Sequence, residues 1–361
     1  MIILDVVKVF LPSVVAFIVG IGITPFVTNI LYKKEMWKKQ SVQKTIDGRE
    51  AVISASLHKD EVKKTPRMGG IVVWASVFFT ASIFWILGNG LGVGAFEKLD
   101  FLSRNQTWIP LFTLIFGGLV GFIDDFLGTQ GGAGKGGYIG GGLSLKKRLL
   151  VVGGISLVFA LWFYFKLDIH SIGIPFIGDV FIGLFFIPLF VCVVIGIYSG
   201  GVIDGLDGLS GGILASCFAA YAGIAFYQNQ INLAALCAVI VGAILAFLWF
   251  NIPPARFYMS ETGMMGLTMT LGVVAFMTDS LGLGHGVIVL PIIALPLVVT
   301  SLSNIIQLTS KKLRNGKKVF LVAPIHHHFQ AIGWPATKVT MRFWIIGIIS
   351  AILGMIIGLI G

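Results

Sequence analysis

Two pairs of carboxylates stand at the ends of long apolar runs: Asp124 and Asp125 in GFIDDF, and Asp204 and Asp207 in VIDGLDGLSGG. The chain has only 16 acidic residues, so four of them at such boundaries need a physical reason. An ionisable group at a membrane boundary costs several kcal/mol unless it is paired, hydrated or metal-bound, which makes these carboxylates a candidate functional site. The i, i+3 spacing of Asp204 and Asp207 predicts both on one side of a helical turn, and Gly205 and Gly208 let backbone approach a ligand closely. A hard cation such as Mg²⁺ takes one or two carboxylates plus phosphate oxygens and neutralises a transferring phosphoryl group, so phosphate chemistry is expected. The plainer alternative is that these acids cap helices or pair with loop lysines.

Glu261 in FYMSETG is a further acid at a span boundary. His326, His327 and His328 follow one another in APIHHHFQ. Three consecutive side chains cannot all point one way on a helix, so a three-histidine metal site is not expected. Their imidazoles could donate hydrogen bonds to phosphate or sugar oxygens, or simply belong to a polar interfacial loop.

The elements that carry these residues are read from composition. Of 361 residues 56% are hydrophobic and 12% charged, and the mean hydropathy is +0.94. Those values lie far from soluble globular averages and predict an all-α polytopic membrane protein. A spanning helix needs roughly 17 to 25 apolar residues. About ten such stretches occur, centred near 8–31, 69–88, 108–124, 147–166, 181–199, 209–227, 232–250, 264–279, 286–309 and 342–360. The polar stretches 32–67 and 311–341 are too short for a separate core, so residues 1–361 are read as a single membrane domain.

Of the 26 lysines and arginines, 22 fall in the segments 33–67, 124–148, 251–263 and 311–342. The positive-inside rule places those segments in the cytoplasm and both termini on the periplasmic side. All the candidate chemistry then lies on the cytoplasmic face. The formal net charge of +10 suits anionic membrane lipids better than nucleic acid, because the basic residues flank spans and form no compact recognition motif. Cys192, Cys217 and Cys237 lie inside apolar runs without CxxC spacing, which argues against a disulfide framework or a zinc site. GGAGKGGYIGGG at 131–142 lacks the first glycine and the Ser/Thr of a phosphate loop and reads as a flexible connector.

The segments HKDEVKKTPRMGGIV, GFIDDF, GLSLKKRLL, DGLDGL, LWFNIPPARFYM and APIHHHFQAIGWPATKVTMRFWII, in this order, resemble the phospho-N-acetylmuramoyl-pentapeptide-transferase family. That family lies within the polyprenyl-phosphate N-acetylhexosamine-1-phosphate transferases. The resemblance runs from about residue 58 to the C-terminus, and the three-histidine segment is its most specific part. It implies ten spans, a homodimer, Mg²⁺, a bacterial cytoplasmic (inner) membrane location and a role in peptidoglycan synthesis. The implied reaction moves phospho-MurNAc-pentapeptide from UDP-MurNAc-pentapeptide onto undecaprenyl phosphate, giving lipid I and UMP.

Residue by residue, the resemblance implies that Asp124 and Asp125 assist the prenyl phosphate, one of them as proton acceptor. Asp204 matches an essential acid near the diphosphate and Asp207 falls beside the uridine pocket. Gly205, Leu206, Asn251 and Tyr258 surround the nucleoside; Lys63 or Lys64 matches a lysine on the nucleotide side. His326 and His327 match positions near phosphate or sugar, with His328 completing the motif. Glu261 takes the place of a metal-binding Asp, with Asp204 as the second metal candidate.

Four residues depart from the pattern: Gly201 for Asn, Glu261 for Asp, Gly128 for Lys and Arg67 for Thr. Lys135 or Lys146 could substitute for the missing lysine. PRMGG is closer to relatives that transfer N-acetylhexosamine phosphates, which leaves such a transferase as an alternative activity. A transporter and a catalytically silent scaffold are further alternatives, the first opposed by acids at helix ends and not at mid-membrane.

Overall fold

The computed structural model describes residues 2–37, 64–129, 142–280 and 284–361. Within them the chain forms α1 (Ile2–Lys33), α2 (Ile71–Trp85), α3 (Gly94–Leu99), α4 (Trp108–Thr129), α5 (Leu145–Lys166), α6 (Phe186–Ser199), α7 (Leu209–Tyr227), α8 (Ile231–Asn251), α9 (Ser260–Ser280), α10 (Gly286–Ile293), α11 (Leu295–Leu313), α12 (Ile325–Ala331) and α13 (Ala336–Ile360). An apolar chain in lipid must satisfy its backbone internally, and the helix does so within one segment. Two strands, β1 (Ser171–Ile174) and β2 (Gly178–Phe181), form an antiparallel hairpin with Ser171 opposite Phe181 and Ile174 opposite Gly178.

Eight helices among the described residues are long and apolar enough to cross a membrane, and nine if α10 and α11 count as one span. The expected span 286–309 is therefore not one straight helix. Its halves meet at 72°, with the break at Ala294 just before Pro296. A proline there has no N–H for the Ile292 carbonyl and its ring clashes with it, so the helix must restart. The remaining expected span, 264–279, corresponds to α9, which falls outside the count. It carries Ser260, Glu261, Thr262, Thr268, Thr270, Thr278 and Asp279, yet it is buried from Thr262 to Asp279. A helix walled in by other helices has no lipid-facing stripe to keep apolar, because neighbouring helices and internal hydrogen bonds take the place of lipid.

The bundle is layered around α7, α8 and α9. Helix α8 is buried over most of its length, whereas α1 turns Phe10, Ile18 and Phe26 outward. The contact that places the chemistry is between α4 and α9. A Cβ on Gly117 would lie 2.9 Å from the Gly266 Cα, and one on Gly121 would collide with the Glu261 carbonyl. With glycine there the two backbones touch, as small residues permit in membrane bundles, and the end of α4 is pressed against the start of α9. At the opposite end of α9, Asp279 accepts the backbone N–H groups of Gly173 (2.8 Å) and Val287 (3.1 Å) and ties the hairpin to α10.

Candidate active site

Five short pieces converge at one end of the bundle: residues 64–70, the end of α4, the start of α5, the turn before α7, and the segment leading into α9. Asp124 and Asp125 sit in the last turns of α4 and are almost fully buried. Asp125 accepts the Thr262 backbone N–H (2.8 Å) and hydroxyl (2.7 Å) on one oxygen, and pairs with Arg67 on the other (3.1 Å). Asp124 accepts the Leu143 N–H (2.5 Å) and pairs with Arg148 (2.9 Å). The acids thus do have counterions, but they are arginines on neighbouring segments and not loop lysines. Buried carboxylates persist only when paired and hydrogen-bonded, and each of these is.

Glu261, the first-turn acid of α9, is held by the same Arg148 (2.5 Å) and by the Tyr198 hydroxyl (3.2 Å). Arg148 therefore bridges Asp124 and Glu261 while its Nε donates to the Leu143 carbonyl (3.1 Å). The longer glutamate arm reaches a guanidinium, so the Glu261 carboxylate is shared between Arg148 and the Tyr198 hydroxyl.

Asp204 and Asp207 do not lie on one side of a helical turn. The chain makes a short 3-10 helix over Gly200–Ile203, turns, and starts α7 at Leu209 after Gly208 at φ 76°. Asp204 itself leaves the helical region at ψ 62°, and that break sends the two carboxylates to different partners. Asp204 is held by the Ser210 hydroxyl (2.7 Å) and the Ser260 N–H (2.7 Å). Burial raises its carboxyl pKa above the ordinary value, opposed by those two hydrogen bonds and the nearby Arg67 charge. Asp207 accepts the Ala255 N–H (3.0 Å) on one oxygen. Ser260 itself has φ 54°, a costly conformation for a residue with a side chain. In it the Ser260 amide holds Asp204 while its hydroxyl accepts Arg67 Nε (3.2 Å).

Asn251 is buried, and both ends of its amide are used on backbone: Oδ1 accepts Gly208 N–H (3.0 Å) and Nδ2 donates to the Phe257 carbonyl (2.7 Å). It fixes the turn and the cleft wall to each other. Trp344 Nε1 on α13 adds a hydrogen bond to the Gly208 carbonyl (3.0 Å).

Gly205 shows why the turn carries no side chain at that place. A Cβ would come within 2.7 Å of His326 Nε2 and 2.8 Å of His327 Nε2. The two imidazoles lean over this glycine with ring centroids 4.3 Å apart. His326 is fully buried with neither ring nitrogen hydrogen-bonded, and burial, reinforced by His327, holds its pKa well below the ordinary 6.5. His327 Nδ1 lies 2.7 Å from Gln330 Oε1. His328 faces elsewhere and accepts the Leu321 N–H (3.3 Å). Two rings share Gly205 and the third points away, so the three do not face one way.

An open cleft of about 580 Å³ runs over this region, lined by Thr65, Arg67, Asp204, Gly205, Leu206, Asp207, Tyr258 and Ser260 among others. Lys64 is exposed beside it, while Lys63, Lys135 and the expected connector over 131–141 lie outside the described residues. Lys146 is exposed at the start of α5. Among the described residues no three Asp, Glu, His or Cys side chains converge to hold a metal ion. The donor set fits Mg²⁺ in its commoner mode, one or two carboxylates with phosphates and water completing the shell, and does not fit an all-protein cage. The residues that sequence reasoning missed are Arg148, Ser210, Ser260 and Thr262. No spacing pattern marks them, and only the contact of α9 with α4, α5 and α7 gives them a role.

A site of paired carboxylates, arginines and histidines around a phosphate-sized cleft at one end of a helix bundle invites comparison with known proteins. The glycosyl transferase family 4 model matches residues 107–279. A phospho-N-acetylmuramoyl-pentapeptide-transferase of Thermodesulfovibrio yellowstonii is 34% identical over 319 residues, covering 82% of this chain and 81% of the relative. One from Francisella philomiragia is 33% identical over 319 residues, covering 81% and 80%. One from a Geobacillus species is 32% identical over 305 residues, covering 83% and 86%. The chain belongs to the phospho-N-acetylmuramoyl-pentapeptide-transferase family. Within this transferase the family model begins beside α4 and ends at Asp279, so it contains Asp124, Asp125, Asp204, Asp207 and Glu261. It ends before His326 and His327, which α12 packs against Gly205 in the cleft wall.

Proposed function

We propose that this transferase moves phospho-MurNAc-pentapeptide from UDP-MurNAc-pentapeptide to undecaprenyl phosphate, releasing UMP and forming lipid I, on the cytoplasmic side of the bacterial inner membrane. The observation that carries the reading is the placement of Asp204, Asp207 and Arg67 on one open cleft, with His326 and His327 over Gly205, in a chain of this family. A lipid-tailed acceptor and a soluble, highly charged donor can meet only at a membrane surface, which is where such a cleft belongs. Ten spans with both termini periplasmic, and a homodimer, complete the reading. The positive-inside distribution supports that orientation.

In this scheme Tyr258 offers a ring to the uracil face, and the Gly205–Leu206 turn lets the nucleotide lie against backbone. His326 and His327 donate to phosphate or sugar oxygens; Lys63 or Lys64 acts on the nucleotide side of the donor. Asp207, with one oxygen on Ala255, presents the other to the donor. Asp124 and Asp125, pinned by Arg148 and Arg67, keep the acceptor phosphate aligned and supply a proton acceptor. Asp204 and Glu261 would hold Mg²⁺, which supplies neutralisation of the diphosphate charge. An acceptor phosphate oxygen forms the new bond to the donor's sugar-linked phosphorus as the bond to the UMP oxygen breaks, in line.

The test is UMP release by purified protein with undecaprenyl phosphate and either UDP-MurNAc-pentapeptide or UDP-GlcNAc. The reading expects turnover with the first donor, none with the second, and loss of all turnover in excess chelator. UMP released only from UDP-GlcNAc would assign the chain to hexosamine-phosphate transfer instead.

A further inference from the structure

We propose that Arg67 is a phosphate anchor: the fixed cation on the cleft wall that binds the diphosphate of the nucleotide donor. The inference rests on the transferase reading above and adds a binding residue to it. Two carboxylates, Asp204 and Asp207, line the cleft, and both repel a diphosphate. Arg67 is the one cationic side chain among the described lining residues.

The cluster contains a second arginine, but it is committed elsewhere. Arg148 spends Nε on the Leu143 carbonyl and its two terminal nitrogens on Asp124 and Glu261, and it does not line the cleft. Among the described residues Arg67 spends only Nε, on Ser260, and Nη2, on Asp125. A guanidinium has five N–H donors in a rigid fork, so three remain, and the side chain keeps 20% of its surface exposed. Two anchors on buried partners hold the fork still. An immobilised planar fork with unused donors, facing an open cleft, suits bidentate recognition of phosphate oxygens.

The competing role is that of a counterion for Asp125 and nothing more. The two roles separate when ligands with and without phosphate are compared. Uridine and UDP are titrated by calorimetry against wild type, Arg67→Gln and Arg67→Lys, at one magnesium concentration. An anchor predicts that Arg67→Gln weakens UDP by about tenfold or more, the scale of a lost charge-assisted hydrogen bond, and leaves uridine within about twofold. Arg67→Lys, which keeps the charge and loses the fork, falls between. Because Asp125 is left without its counterion, Arg67→Gln is repeated with Asp125→Asn, which removes both charges of the pair and leaves an amide oxygen for Thr262; the UDP-selective loss persists there. Equal losses for uridine and UDP, or no loss for either, overturn the anchor and leave the counterion. A wild type that binds uridine and UDP not at all sinks the transferase reading, and the anchor with it.

Discussion

Removing the Arg148 guanidinium separates the packing role of the acid cluster from its chemistry. Arg148 makes two short ion pairs, 2.9 Å to Asp124 and 2.5 Å to Glu261, with about a fifth of its side chain exposed. Deleting one partner of a buried pair costs about 3 to 5 kcal/mol, because the charge left behind has no counterion. Partial exposure of Arg148 and Glu261 lowers that, so Arg148→Met should destabilise the fold by about 3 kcal/mol. Glu261→Gln removes one of the two pairs and leaves Asp124 on the arginine, so about 1 to 2 kcal/mol is expected. The double variant leaves one unpaired carboxylate in place of two. Its cost should therefore fall short of the sum by about 1 kcal/mol or more, as neighbours in one network are not additive. Thermal unfolding in detergent micelles, followed by monodisperse elution after heating, gives the four corners of the cycle. Additive effects, or an Arg148→Met variant as stable as wild type, would refute the bridging role read from these distances.

Three further outcomes are expected. Asp204→Asn and Asp207→Asn, which keep shape and delete charge, should each lower turnover by about 10²-fold or more, measured as UMP release; unchanged rates in both would favour a silent scaffold. Gly205→Ala places a methyl against His326 and His327. Since His326 is fully buried and cannot swing away, the variant should lose about 1 to 3 kcal/mol of stability and bind UDP more weakly, and a wild-type melting curve with wild-type affinity contradicts that packing. The third concerns pH. The His326 pKa is depressed by burial, so the unfolded chain binds the proton more readily than the fold does, and stability falls as pH drops below about 6.5. His326→Asn should flatten that fall in melting curves between about pH 6.5 and 5, and an unchanged slope excludes the assignment.

Much of this protein is written in its composition and runs. Long apolar stretches dictate helices because lipid offers the backbone no partner, and 22 of 26 basic residues fall in four segments that alternate with the rest. The acids stood out because charge is rare in such a chain, and GFIDDF, DGLDGL and APIHHHFQ carry the family resemblance by themselves. That the three histidines do not all face one way also follows from helical geometry alone.

What a linear reading could not settle is which charge meets which. Asp125 and Thr262 are far apart in sequence and meet because glycines at 117, 121 and 266 let α4 and α9 touch. That contact is a property of two surfaces, and no window along one helix contains it. The same holds for Arg148, which reads as an ordinary basic residue at a span end until Asp124 and Glu261 close on it. The spacing of Asp204 and Asp207 was misleading for a local reason: Asp204 leaves the helical region at ψ 62°, so the helical run that i, i+3 presumes is absent. Helix α9 tolerates its polar residues because its neighbours bury it, and burial depends on the whole bundle. Residue type and local periodicity determine what each segment can be, since they act over a few ångströms along the chain; the counterions, the cleft and the seat of each carboxylate are decided by tertiary contacts, because Coulomb and packing forces act between whatever the fold brings together.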